Sequence, residues 1–158
     1  MKKFGCIIAV LLLLFSIQST LFHLIILKLT PVQWMFFNAC VPSSLAYLAG
    51  YLIYIIKKDA TFMYLGVLPM FFFGVTGLFV FPWSGMSIIP QIMHILMIVS
   101  VVWLIVITFS EKSFKAATVG LLLSIFVFGT FIVFQQHYVF THNDEFKRIA
   151  QESSGVNR

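Results

Sequence analysis

Long apolar runs separated by short polar stretches dominate this chain, and the runs are apolar in every direction rather than alternating. Positions 7–15 and 95–107 carry almost no polar interruption, which excludes the two-residue alternation of a lipid-facing strand and leaves the helix as the spanning element. A helix rising about 1.5 Å per residue needs roughly 20 residues to cross a hydrocarbon core of about 30 Å. Five runs meet that requirement, at about 4–27, 31–56, 61–81, 87–108 and 116–134, and a polar C-terminal tail follows at 135–158. The predicted fold class is therefore an all-α integral membrane protein, a bundle of five transmembrane helices.

Boundary signals agree with the runs. Lys28 closes the first span, and Thr30-Pro31-Val32-Gln33 opens the second with an N-cap threonine, proline at the first helical position and glutamine three residues after the cap. Pro42 lies inside that span and should kink it, since it lacks an N–H and its ring clashes with the preceding turn. Lys57-Lys58-Asp59 ends it, and Pro82-Trp83-Ser84-Gly85-Met86 joins spans three and four as a hairpin with an interfacial tryptophan. The tail is expected to hold a short helix around 144–151 and to be disordered from Ser153 onward. Met1-Lys2-Lys3 ahead of an apolar stretch has the form of a signal peptide. No small-residue cleavage site separates it from the apolar continuation at 21–27, so it reads as a spanning helix; cleavage would leave four spans.

Composition then narrows the function classes. With 61% hydrophobic and 9% charged residues and a mean hydropathy of +1.04, water is not the main solvent of this chain. The net charge of +5 is spread in ones and twos beside the spans, unlike the clustered stripe a nucleic-acid surface needs, so no nucleic-acid partner is expected. In a five-span chain Lys2, Lys3, Lys57, Lys58, Lys112 and Lys115 share one side, and Lys28, Lys147, Arg148 and Arg158 the other. The excess of basic residues points the first side to the cytoplasm, with the N-terminus inside and the C-terminus outside the cell membrane. All acidic residues, Asp59, Glu111, Asp144, Glu145 and Glu152, lie outside the spans. Ion pumps, proton-coupled carriers and voltage sensors need charges within the bilayer, and these classes are disfavoured. Nucleotide-binding, zinc-protease and serine-hydrolase motifs are missing. Cys6 and Cys40 fall at different depths, so no disulfide is expected between them, and the lack of a C-x-x-C pair argues against a thiol relay.

The polar residues within the spans form three seams at about 100° per residue. Span one carries Ser16, Ser19, Thr20 and His23; span four carries Ser87, Gln91 and His94; span two carries Gln33, Cys40, Ser43, Ser44, Tyr47, Tyr51 and Tyr54. Parity places His23, Gln33 and His94 in one leaflet, with both histidines on the order of 10 Å below its surface. Seams of this kind pack helices together. They also make His23, His94, Gln91, Ser19 and Tyr47 the candidate ligand-binding residues. Gly120 and Ser124 form a small-xxx-small pair suited to close packing against a neighbour or a second copy.

Two functional expectations follow. The first is a non-enzymatic membrane protein that binds a small apolar ligand, or serves as accessory subunit of a membrane complex, with the bilayer, a membrane-protein partner or a homo-oligomer around it. The alternative is a redox protein in which His23 and His94 ligate a haem b or a metal, with Met35, Met86 and Met93 as soft ligands for a copper ion and Gln91 behind the histidines. An intramembrane enzyme using Ser43 or Ser44 with one of the histidines is a third.

Overall fold

The computed structural model describes residues 2–80, 83 and 88–154. Among these residues are seven α-helices: α1 Lys2–Leu21, α2 Pro31–Phe37, α3 Cys40–Lys57, α4 Val67–Val80, α5 Ile88–Ser110, α6 Phe114–Thr141 and α7 Asn143–Ser154. A π-helical turn, Phe22–Ile26, extends α1, and a 3-10 turn, Ala60–Tyr64, leads into α4. Five segments are long and apolar enough to cross a membrane: Lys3–Ile26, Cys40–Lys57, Ala60–Phe79, Ile88–Ser110 and Phe114–Thr141. The protein is a multi-span helical membrane bundle.

The second run of the sequence is two helices rather than one kinked span. Pro42 cannot donate to the carbonyl four residues earlier, which belongs to Asn38, and its ring crowds that group. The helix breaks there: Asn38 leaves helical geometry at φ −118° and ψ 46°, and Val41 N–H closes a short turn onto the Asn38 carbonyl at 3.0 Å. Pro42 then sits in the first turn of α3, where its missing donor has no intrahelical partner to lose. The start of α2 is a complete capping box. Gln33 N–H donates to Thr30 Oγ1 at 3.3 Å, and Thr30 N–H donates to Gln33 Oε1 at 2.8 Å.

The core lies where α1, α3, α4 and α5 meet. Leu12, Tyr47, Met70, Met97 and Leu104 are fully buried there. Three buried hydroxyls bond back to their own helices: Ser43 to the Ala39 carbonyl at 2.7 Å, Ser100 to Leu96 at 2.7 Å and Thr108 to Leu104 at 2.8 Å. The outer helix, α6, is packed on one side only, and 11% of its apolar window is buried, so most of its surface meets lipid. Gly120 and Ser124 are used within the chain. A Cβ at Gly120 would collide with the Thr61 carbonyl, and Ser124 Oγ accepts from Leu68 N–H at 3.3 Å.

From 135 to Ser154, the last described residue, the chain is helical apart from a turn at His142. α6 continues seven residues beyond position 134, to Thr141, and α7 turns back over the bundle end formed by α2. Gln33 Nε2 donates to Glu145 Oε1 at 2.7 Å, Gln135 Nε2 donates to the Phe36 carbonyl at 2.9 Å, and Phe37 packs on Phe146 with ring centroids 5.7 Å apart. Ile149 is 5% exposed, so α7 has a buried apolar side, while Arg148 faces outward near Glu145 and Glu152. Met86, Ser87 and the end of the tail at 155–158 lie outside the described residues.

Candidate functional site

A cavity of about 100 Å³ lies between the last turns of α1, the α2–α3 break and the first turns of α5. Its deep surface is formed by the buried Phe37, Asn38, Met93 and His94, and its mouth by the exposed Gln18, Ile89 and Pro90. The exposed residues at the mouth belong to α1 and α5, so the cavity opens between these two helices.

The π turn and the break at Asn38 bring the polar residues together. His23 Nδ1 lies 2.7 Å from the Ser19 carbonyl. A carbonyl only accepts, so Nδ1 carries the proton and Nε2 keeps its lone pair. Asn38 Nδ2 donates to Ser19 Oγ at 3.0 Å; its 3.3 Å approach to the protonated His23 Nδ1 is then a contact of two donors. His23 Nε2 and the Gln18 amide make no hydrogen bond among the described residues, and both side chains line the cavity.

His94 is held more rigidly. Its Nδ1 stands 3.2 Å from Gln91 Oε1, an acceptor, which leaves Nε2 as the acceptor facing Cys40 Sγ at 3.0 Å. Behind the ring is bare backbone: a Cβ at Gly77 would overlap the imidazole, so only glycine lets α4 approach this closely. His94 is 2% exposed and Gln91 fully buried.

Of the candidates read from the sequence, Ser19, His23 and His94 line one cavity, whereas Gln33, which parity placed in the same leaflet, does not. Gln91 stands behind His94 and does not line the cavity. Tyr47 lies outside it, fully buried and stacked on Tyr51 at 6.2 Å. Ser43 bonds to Ala39 and Ser44 is buried without a partner, so the nucleophile that meets a histidine is Cys40. Asn38 and Cys40 were not singled out as a pair with the histidines; the Pro42 signal for a chain break was the one hint that both would turn toward the cavity.

The haem b and copper expectations are overturned. Both ring nitrogens of His94 are engaged by protein groups, so it has no lone pair to offer an iron or copper opposite His23. Among the described residues no group of three or more His, Cys, Asp or Glu side chains is placed to hold a metal ion. Met93 lines the cavity, but Met35 sits on α2 away from it. His23 and His94 are thus not metal ligands in this structure. Cys6 and Cys40 are both free thiols.

No family model matches the chain, and no curated protein and no solved structure is significantly similar to it.

Proposed function

We propose that this membrane bundle is a binding protein that takes a small, largely apolar ligand sideways from the bilayer into the cavity between α1, the α2–α3 break and α5. The observation that carries the reading is the cavity's composition. Phe15, Phe22, Phe37 and Met93 supply apolar wall, and Gln18 and His23 Nε2 supply hydrogen-bonding groups without protein partners among the described residues. A polar group in lipid without a partner is unfavourable by several kcal/mol, so such groups favour a ligand that meets them.

Size limits the ligand. Complete small-molecule sites span about 300–1,000 Å³, whereas a cavity of about 150 Å³ accepts one benzene ring. The volume of about 100 Å³ here therefore suits one end of an amphiphile, with the remainder lying in the lipid. In this reading the basic-residue bias sets the Lys57–Lys58 end in the cytoplasm, and the cavity belongs to the outer leaflet.

Photolabelling tests the proposal. Protein in lipid nanodiscs is exposed to a diazirine-bearing long-chain alcohol, irradiated and mapped by peptide mass spectrometry. Adducts should concentrate on 15–23 and 89–94 and be displaced by excess unlabelled alcohol. Met93→Trp, which fills the cavity, should abolish that focus. Labelling spread evenly over the lipid-facing sides of α1, α5 and α6 would refute the reading.

A further inference from the structure

We infer that Cys40 is a nucleophile for acyl capture, activated by His94 and positioned with help from Gln91. The inference rests on the binding reading, because the acyl donor must enter the same cavity. A chain of two contacts leads to this thiol. Cys40 Sγ lies 3.0 Å from His94 Nε2, within reach of a general base. Gln91 Oε1, 3.2 Å from His94 Nδ1, fixes the tautomer whose Nε2 lone pair faces the sulfur. Nucleophile, base and orienting group stand in the order that activated thiols require, and the chain supplies them from α3 and α5, with Gly77 of α4 backing the imidazole.

The surroundings select the donor. Cys40 and His94 both line the cavity, together with the apolar side chains of Phe15, Phe22, Phe37 and Met93. Cys40 is the first residue of the second spanning segment, so the thiol lies toward one face of the bilayer, within reach of the ester group of an amphiphile whose chain follows the cavity into the lipid. The substrate class is a long-chain fatty acyl ester. In the step, the Cys40 S–H proton passes to His94 Nε2 as sulfur attacks the acyl carbonyl carbon. The acyl C–O bond then breaks, and the departing alcohol oxygen takes the proton back from Nε2. A Cys40 thioester and the free alcohol result, with no change of oxidation state. Asn38, two residues before Cys40 and lining the same cavity, donates one amide hydrogen to Ser19, and its second has no acceptor among the described residues once His23 Nδ1 carries its proton. That hydrogen is the nearest side-chain candidate to stabilise the carbonyl oxygen as charge develops.

The experiment uses the full-length protein in nanodiscs with p-nitrophenyl palmitate, an activated ester whose nitrophenolate is coloured. The expected result is one palmitoyl group on Cys40, removed by neutral hydroxylamine and absent in Cys40→Ser. Cys6, an exposed thiol without a histidine partner in the same molecule, is the internal reference. General-base assistance is worth about 10²–10⁴-fold, so Cys40 should acylate at least about 100-fold faster than Cys6, and His94→Asn should bring the two rates together. Equal rates at the two cysteines of the wild-type protein, a comparison that needs no variant to fold, would overturn the inference. So would an unchanged Cys40 rate in His94→Asn. If Cys40 is not acylated while Cys40→Ser protein still shows focused photolabelling, the acyl chemistry is refuted and binding stands. If the photolabel also fails, both fall.

Discussion

Replacing Gly77 with alanine would disturb the cavity from behind. The new methyl group would occupy the space of the His94 imidazole, and the ring has little room to yield, being 2% exposed and tied to Gln91 and Cys40. If the ring stays, overpacking a filled interior costs about 1–3 kcal/mol. If it swings away, two buried hydrogen bonds worth about 0.5–1.5 kcal/mol each are lost. Alanine recovers up to about 1 kcal/mol of helix propensity in either case, so the net destabilisation should be about 1–2 kcal/mol. Gly129→Ala is the matched control, because a Cβ there meets nothing within 4 Å. Thermal denaturation of the two variants in the same detergent measures the difference. Gly77→Ala melting at or above Gly129→Ala would refute the claim that His94 is locked against bare α4 backbone.

Other outcomes follow from local geometry. Lys58 holds a left-handed conformation at φ 58° where α3 ends; Lys58→Gly should stabilise the protein by about 1 kcal/mol, read as a higher melting temperature, and Lys58→Val should lower it. Thr30→Ala removes the α2 cap and should cost about 1 kcal/mol in a detergent unfolding titration. Gln33→Leu breaks the tie to Glu145 and should speed amide hydrogen exchange in α7 while leaving α5 unchanged; equal protection in both proteins would show that α7 docks by its apolar side alone. Thr61 N–H donates to the Asp59 carboxylate at 2.9 Å and holds it below the usual carboxylate range. Its stabilising contribution is therefore present at neutral pH and lost as pH falls through that lowered value, so Asp59→Asn should flatten the acid side of the stability profile.

The spans were legible because a bilayer demands a run of apolar residues and tolerates few substitutes. The Thr30–Gln33 cap was legible because both partners lie within one turn. His23 and His94 could be placed together by counting residues from the span ends, which is one-dimensional arithmetic. The Cys40–His94 contact joins residues 54 positions apart and depends on the rotation of α3 relative to α2. Gln33 and Cys40 shared a face only if the helix ran through Pro42; once it breaks at Asn38, the two residues belong to different helices and the seven-residue seam no longer exists as one surface. The haem reading failed for a related reason: sequence gives the depth of an imidazole but not the partners of its nitrogens. The packing of α7 escaped notice because its polar composition disguised Phe146 and Ile149, which face Phe37 and the bundle end.

The spanning helices differ greatly in length. α3 has 18 residues and α6 has 28, which at about 1.5 Å per residue gives about 27 Å and 42 Å. A bilayer matched to α3 is thinner than the common hydrocarbon core of about 30 Å, whereas α6 must tilt or project through the headgroups. The lipid around this protein is therefore under uneven demand, pinched beside α3 and stretched beside α6. Such a body should partition into locally deformed regions of membrane, and the acyl chains beside α3 should be the most disordered in the annulus.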